Sequence, residues 1–135
     1  MAEFIGYKLA SMDYVIISGL ARGVDKYAHI GALKAQKRTI AVIATPLNRI
    51  YPRENRYLAI EILRHNGTII SENPIGHNLV NSDFLKRNRI MSGMSKAVIV
   101  IEAGNKSGSL TTANYALSQG KEVYAVPRRY RKQNV

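Results

Sequence analysis

The stretch that most constrains this chain is residues 15–25 (VIISGLARGVD), in which a short β-branched run leads directly into a glycine-containing turn. Residues 15–17 have the composition of a strand that is covered on both faces of a sheet. Gly19 and Gly23 allow the backbone to approach a ligand closely, and Asp25 is expected to cap the helix that follows. A strand that ends in a glycine turn before a helix N-terminus predicts a site for an anion such as phosphate.

This turn has two interpretations. In the first, the turn at Ser18 and the guanidinium of Arg22 bind a phosphate; in the second, it is an ordinary strand-to-helix turn with a solvated arginine. A second stretch favours the first interpretation, because a buried-strand run at residues 97–101 leads to residues 106–109 (KSGS), which open a helix. Since the carboxyl ends of parallel strands lie along one edge of a sheet, the two turns are expected to converge there.

Alternating β-strand and α-helix patterns extend along the whole chain. The predicted strands are residues 15–17, 39–44, 68–71, 98–101 and 122–126, and the predicted helices are residues 3–12, 25–36, 57–63, 84–94 and 110–119. This alternation predicts an α/β fold, a three-layer sandwich with a mostly parallel sheet, helices on both faces and right-handed crossovers. We expect one domain over residues 1–127 and a basic, mobile tail over residues 128–135.

The hydrophobic spacing predicts which helix faces are buried. On the first helix the predicted apolar side consists of Phe4, Ile5, Leu9 and Met12. On the second it consists of Tyr27, Ala28, Ile30, Ala32, Leu33 and Ala35, and on the third of Tyr57, Leu58, Ile60, Ile62 and Leu63.

The net charge of +11, from 20 Lys and Arg against 9 Asp and Glu, favours a polyanionic partner. The chain has no cysteine, which excludes disulfides and thiolate metal sites. No pair of histidines has the spacing of metal ligands, so we expect neither a metal nor a cofactor. No signal peptide or membrane-spanning run is evident, so a cytoplasmic protein without a membrane partner is expected.

Arg87 occupies the core-facing stripe of its predicted helix, together with Asn88. A charged residue on such a stripe needs a partner. Two interpretations stay open: Arg87 reaches an anionic ligand, or it forms a buried ion pair with Glu72 or Glu102. For His29, early in the second helix, the sequence predicts a polar residue near the sheet edge. No nucleophile elbow or P-loop is present, so no catalytic residue is predicted.

Six motifs, in this order, resemble the DprA/Smf family of DNA-processing proteins. They are residues 18–25 (SGLARGVD) with His29, residues 50–55 (IYPREN), residues 70–72 (ISE), residues 84–90 (FLKRNRI), residues 102–103 (EA) with residues 107–113 (SGSLTTA), and residues 125–127 (AVP).

This resemblance implies a Rossmann-like domain that binds single-stranded DNA, protects incoming DNA and helps to load RecA onto it during natural transformation. It also implies a homodimer and no intrinsic catalytic activity. The DNA-binding residues implied by position are Ser18, Gly19, Arg22, Gly23, Arg87, Asn88, Lys106, Ser107, Gly108 and Ser109.

The sequence departs from the family at its ends. The family's first strand, which lies inside the sheet and would precede Glu3, is missing, and Arg128 replaces the usual glycine after residues 125–127. The accessory domains that many members carry are also absent. Three arrangements stay open: the sheet closes without that strand, another chain fills the gap, or this is a shortened, non-functional copy.

A rival resemblance is to the nucleotide-binding phosphoribohydrolases of the lysine decarboxylase-like (Lonely Guy) group. Their glycine turn carries a glutamate that helps to cleave the glycosidic bond, whereas this chain has Thr111 and Thr112 at the corresponding positions. A hydroxyl does not stabilise a developing oxocarbenium ion as a carboxylate does. Binding of DNA is therefore the preferred prediction over hydrolysis.

Overall fold

A computed structural model describes residues 1–101 and 108–127, so the predicted tail lies outside the described residues. Helices and strands alternate as predicted, with ends that differ from the prediction by up to three residues. The helices are α1 (Ala2–Ser11), α2 (Val24–Lys34), α3 (Arg56–Arg64), α4 (Asn81–Met94) and α5 (Gly108–Ser118), and the strands are β1 (Ile16–Ser18), β2 (Thr39–Ile43), β3 (Thr68–Ser71), β4 (Ala97–Val100) and β5 (Glu122–Ala125). One turn of 3-10 helix, Arg53–Asn55, precedes α3.

The strands of the described residues are parallel, as predicted, but they form two separate sheets rather than one. One sheet has the order β1-β2-β3, with Ile17 opposite Ile40, and the other consists of β4 and β5, with Val98 opposite Val123. Within residues 1–101 and 108–127, β1 does not pair with β4. Of the three arrangements that the sequence left open, closure of the sheet without a further strand is therefore wrong.

Helices cover both faces of the strands. Helices α2 and α3 pack on the first sheet, and α1 packs beside α2. From the other face α4 covers β2, and it also packs against α5, which covers β4. In the described part of the chain, no helix has the length and apolar character needed to cross a membrane.

A hydrophobic core cluster lies between the first sheet and helices α2 and α3. Burial of one large aliphatic side chain stabilises a fold by about 1.5–3 kcal/mol, so this cluster contributes strongly to the packing of α3 on β2. Its buried members are Leu20, Ala41, Ile43, Leu58, Ala59 and Ile62.

The predicted apolar face of α1 is wrong, because α1 packs through small residues. Phe4 and Met12 are 60% and 66% exposed, whereas the buried side of α1 consists of Ala2, Gly6 and Ala10. These small residues allow the α1 and α2 backbones to touch. A Cβ added to Gly6 would lie 2.6 Å from the carbonyl oxygen of Ala28.

The outward sides of α2 and α3 also differ from the prediction. Four side chains that were expected to pack on the sheet are exposed: Tyr27 (45%), Tyr57 (52%), Ile60 (44%) and Leu63 (56%). The sheet-facing sides use the smaller neighbours Ala32 and Ala59 together with Leu58 and Ile62.

The start of α4 is stabilised from inside the helix. α4 begins at Asn81 rather than Phe84, and the carboxylate of Asp83 accepts hydrogen bonds from the Val80 backbone N–H (2.9 Å) and from His77 Nε2 (2.8 Å). The Val80 N–H and the His77 side chain hold the pKa of Asp83 below its usual value. Asp83 therefore stabilises the first turn of α4, whose N-cap position is Val80.

We predict that Gly31→Ala separates α1 from α2. The added Cβ would lie 2.2 Å from the backbone oxygen of Glu3, so the free energy of unfolding should fall by about 1–3 kcal/mol. Gly93→Ala in α4 is the matched control, because its Cβ would meet nothing closer than 3.6 Å and should raise stability by up to about 1 kcal/mol. Urea denaturation followed by circular dichroism measures both; equal effects would contradict this account of the α1–α2 contact.

Candidate functional site

The turn after β1 is held in an unusual backbone conformation. Leu20 has a φ of 60°, in the left-handed region that residues other than glycine rarely adopt. Its side chain is fully buried in the core, and its carbonyl oxygen accepts a hydrogen bond of 2.8 Å from the buried Asn55 side chain. Packing and this hydrogen bond together offset the strain of the turn.

The sequence predicted that Asp25 caps α2, and this prediction is wrong, because the N-cap of α2 is Gly23. The Asp25 carboxylate instead reaches back into the turn, where it accepts hydrogen bonds from the Gly19 N–H (3.0 Å) and the Ala21 N–H (3.2 Å). Backbone donors that were expected to bind an external anion are therefore already bound to an internal carboxylate.

Arg87 is 7% exposed, and among the described residues it binds backbone carbonyls rather than an ion-pair partner. Its Nη1 donates to the carbonyl oxygens of Gly19 (2.8 Å) and Val42 (3.0 Å), and its Nε donates to Asn88 Oδ1 (3.1 Å). Burial lowers the pKa of the Arg87 guanidinium, and the nearby negative charge of Asp25 opposes that shift.

The predicted ion pair between Arg87 and Glu72 is wrong, because Glu72 forms its ion pair with Arg89. Glu102, the other suggested partner, lies outside the described residues. An ion pair with Glu102 and a contact between Arg87 and a ligand therefore both stay predictions.

Gly19 is the point where these two charged side chains meet. A Cβ at this position would lie 2.6 Å from Arg87 Nη1 and 2.8 Å from Asp25 Oδ2. The Asp25–Gly19–Arg87 hydrogen-bond network therefore requires glycine, because any larger residue would displace one of its two charged partners.

Asn88 connects this region to the start of α5. While its oxygen accepts from Arg87, its Nδ2 donates to the carbonyl oxygen of Gly108, 3.2 Å away. The turn after β1 and the first residue of α5 are thus linked through two adjacent side chains of α4. Lys106 and Ser107 lie outside the described residues, and the Ser109 side chain is likewise not described.

A cavity of about 280 Å³ opens beside the turn, and we call it the rim pocket. Within it the Tyr51 and Phe84 rings lie 5.6 Å apart between centroids. Its lining residues are Gly19, Ala21, Arg22, Ala44, Thr45, Tyr51, Pro52, Phe84 and Arg87.

Three of the predicted site residues, Gly19, Arg22 and Arg87, line the rim pocket. Ser18 is buried at the end of β1 and does not line it, and neither does Asn88. Gly23 lines a separate cavity next to the N-terminus of α1.

The sequence reasoning did not select Tyr51 or Phe84 as site residues. Phe84 precedes Arg87 by three positions on one helix face, and Tyr51 lies in the loop that follows β2. Both positions could have been recognised from the sequence. Residues three apart share a helix face, which places Phe84 beside Arg87, and loops that follow parallel strands lie at the carboxyl edge of the sheet, which places Tyr51 there.

Arg22 is the exposed cation at the mouth of the rim pocket. Its side chain is 66% exposed, its Nε lies 2.5 Å from Glu54 Oε1, and its Cζ lies 6.0 Å from the centroid of the Tyr51 ring. The hydrogen bond to Glu54 raises the pKa of Arg22, and the same bond lowers the pKa of Glu54.

The loops around the rim pocket carry an excess of positive charge. Glu54 is the acidic side chain closest to Arg22, and it is outnumbered by exposed cations on the strand-end loops and the helix starts. These cations are Arg22, Arg49, Arg53, Arg56 and Lys86. In residues 1–101 and 108–127, no group of His, Asp or Glu is arranged to hold a metal ion.

One histidine of α2, His29, is fully buried. His29 was predicted to be a polar residue on a helix near the sheet edge, and it does contact Thr39, the first residue of β2, but its full burial (0% exposed) was not predicted. Because the Thr39 hydroxyl donates to the Ile16 carbonyl oxygen (2.7 Å), it accepts from His29 Nδ1 (2.9 Å). Burial lowers the pKa of His29 to about 4, and the charge of Asp25 only partly opposes this shift.

The fold and the rim pocket first define a class: a Rossmann-like α/β domain whose strand-end turns gather charged and aromatic side chains at the carboxyl edge of the parallel strands. The chain belongs to the DNA recombination-mediator protein A family, whose model matches residues 1–135. The resemblance to DprA/Smf proteins is therefore confirmed.

Curated relatives support the same assignment. Protein Smf of Escherichia coli is 47% identical over 119 residues, which cover 88% of this chain and 32% of that protein. DNA processing protein DprA of Bacillus subtilis is 49% identical over 120 residues, or 89% of this chain and 40% of that protein. The chain thus spans less than half the length of these two relatives.

Solved structures show the same fold. DNA processing protein A of Streptococcus pneumoniae matches with a TM-score of 0.85 and 37% identity, over 97% of this chain and 46% of that one. DNA processing protein A of Helicobacter pylori, whose structure is described for its single-stranded DNA binding mode, matches with a TM-score of 0.83 and 34% identity, over 95% of this chain and 58% of that one.

We predict that Arg87→Ala destabilises the fold. The substitution leaves the Gly19 and Val42 carbonyl oxygens without their buried donor, so the free energy of unfolding should fall by about 3–5 kcal/mol. Lys86→Ala removes the same charge from an exposed position one residue away and should change stability by less than about 0.5 kcal/mol. Urea denaturation measures both, and an Arg87→Ala variant as stable as Lys86→Ala would refute the structural role of Arg87.

We also predict that His29 makes stability depend on pH. The folded state keeps His29 neutral down to a pKa of about 4, whereas the unfolded chain protonates near the ordinary value of 6.5. The contribution of neutral His29 to the free energy of unfolding is therefore complete above pH 6.5. It falls as the pH decreases, by about 2 kcal/mol between pH 7 and pH 5.

The matched variant for this pH effect is His29→Asn, whose amide can still donate to Thr39 but does not titrate. Urea denaturation at both pH values should show a smaller loss of stability in the variant than in the native chain. Identical losses in the two proteins would show that other groups cause the pH dependence.

Proposed function

We propose that this chain binds single-stranded DNA at the rim pocket. The observation that carries the proposal is the composition of that pocket, in which an exposed arginine lies over a tyrosine ring beside a second aromatic side chain. Cationic side chains combined with aromatic rings bind single strands, because the cations contact phosphates and the rings stack on unpaired bases.

Arg22 is the phosphate contact in this proposal. Its guanidinium is largely exposed, so a phosphate can replace Glu54 as its partner without disturbing the core. The Glu54 carboxylate competes with DNA for Arg22, and it therefore weakens binding.

Arg87 has a different part in the proposal. Its Nη1 holds two backbone carbonyls, so Arg87 maintains the shape of the rim pocket and adds positive charge to its wall. Asn88 acts in the same way, through its hydrogen bond to Gly108. Ser18, Gly19 and Gly23 then serve the conformation of the turn.

Tyr51 and Phe84 distinguish single from double strands. Tyr51 is 47% exposed at the rim pocket, where an unpaired base can stack on its ring. In a duplex the base faces are covered by their neighbours, so the aromatic contribution is lost while the phosphate contacts remain.

The family supplies the rest of the proposed role. By resemblance, Lys106, Ser107, Gly108 and Ser109 add phosphate contacts from the second turn. The proposed biological role is protection of incoming single strands and loading of RecA during natural transformation, by a cytoplasmic homodimer without catalytic activity. Release of adenine from adenosine monophosphate would contradict the absence of catalysis.

We predict that Arg22→Ala weakens oligo-dT binding by about 10- to 150-fold, because one charge-assisted contact contributes about 1.5–3 kcal/mol. Its affinity should also depend less on salt, with the logarithmic slope smaller by about 0.7 for each lost phosphate contact. Glu54→Gln should have the opposite effect and bind more tightly than the native chain. Fluorescence anisotropy at several salt concentrations, with single- and double-stranded oligonucleotides, measures all three proteins.

Arg64→Ala is the control for this experiment. Arg64 is 71% exposed and pairs with Glu61 at the far end of α3, so it matches Arg22 in charge and in partner. Equal losses of affinity for the Arg22 and Arg64 variants would show that DNA is attracted by the net charge of the chain and not by a contact at Arg22. Native protein that fails to bind single strands would refute the proposed function itself.

A further inference from the structure

Next to the rim pocket, a lysine lies between two exposed tyrosine rings. The Nζ of Lys26 is 5.7 Å from the ring centroid of Tyr27 and 6.0 Å from that of Tyr57. The two tyrosines are 45% and 52% exposed. We call these three residues the tyrosine–lysine patch, and it joins the first turns of α2 and α3.

The tyrosine–lysine patch is continuous with the rim pocket. The backbone N–H of Lys26 donates to the carbonyl oxygen of Ala21 (3.2 Å), so the first turn of α2 is bonded to the residue that precedes Arg22. Glu54 links the same two cations, because its pKa is lowered by the hydrogen bond to Arg22 and also by the charge of Lys26. A chain that leaves Arg22 along this surface therefore meets Lys26 next.

The chemistry of the patch fits a polyanion that carries flat apolar groups. Tyr27 and Tyr57 offer ring faces on which unpaired bases can stack, and the Lys26 ammonium offers a phosphate partner between them. An apolar protein surface fits less well, because it would have to cover the Lys26 charge without neutralising it. The positive charge of the neighbouring rim also favours the polyanion.

We propose that a bound single strand continues from the rim pocket onto the tyrosine–lysine patch, where further nucleotides stack on Tyr27 and Tyr57 and Lys26 contacts a phosphate. This inference rests on the proposed function and deepens it. It divides the DNA-binding surface into two parts, and only strands long enough to leave the rim pocket use the second part.

The test compares a short with a long oligonucleotide, for example oligo-dT of about 4 and about 16 nucleotides, the range of site sizes for single-strand binding folds. The native chain should bind the longer strand at least tenfold more tightly than the shorter one. Tyr27→Leu combined with Tyr57→Leu, or Lys26→Gln alone, should remove most of that gain and leave the affinity for the short strand within about twofold.

Matched controls lie at the opposite, amino edge of the strands. Tyr14 is 52% exposed, as Tyr57 is, and Lys37 is an exposed lysine paired with Asp13. Tyr14→Leu and Lys37→Gln should therefore keep the full gain with strand length. Leucine retains helix propensity at the two tested positions, and circular dichroism verifies that each variant is folded.

The outcomes separate the two proposals. If the native chain binds the short strand and gains nothing with length, or if the patch variants keep the full gain, the patch is not part of the binding surface and the proposed function stands. If the native chain binds neither strand, both proposals fail. A loss of the gain in the patch variants alone supports the inference.

Discussion

The structure depends on the hydrogen bonds made by the backbone of a single residue, Gly19. Its N–H is bound by the carboxylate of Asp25 and its carbonyl oxygen by the guanidinium of Arg87. Because the Arg87 donor also reaches Val42, one network ties the end of β1 to α2, α4 and β2. The two opposite charges thus lie on either side of the Gly19 backbone and oppose each other's electrostatic effect, since the charge of Asp25 favours the charged form of the buried Arg87.

This network gives different roles to Arg87 and Arg22, two arginines that the sequence alone had treated alike as phosphate-binding residues. Arg87 is buried and shapes the rim pocket, whereas Arg22 is exposed at its mouth and is paired with Glu54. If the proposed binding at the rim pocket holds, loss of Arg87 would affect stability and binding together. Arg22 is the position where binding can be tested while the fold remains intact.

Much of the fold could be predicted from local patterns. Hydrophobic runs located the five strands of the described residues, whereas the convergence of the two turns stays a prediction because residues 102–107 lie outside the described part of the chain. The helix faces were predicted less well, because Gly6 and Gly31 have little hydropathy and yet allow the closest backbone contact between α1 and α2. The division into two sheets was not predicted either, since hydrophobic runs identify strands but do not specify which strands pair.

The amino-acid sequence alone determined the alternation of strands and helices, the positions of the glycine turns and the positive charge, because these follow from local conformational preference and composition. Only the tertiary structure decided which polar groups at the turns are free to bind a ligand. The partners of Arg87 are 68 and 45 residues away in sequence, and the Asp25 carboxylate satisfies the turn N–H groups that local reasoning had assigned to an anion. A backbone donor binds the acceptor that packing brings close to it, and packing depends on the whole chain.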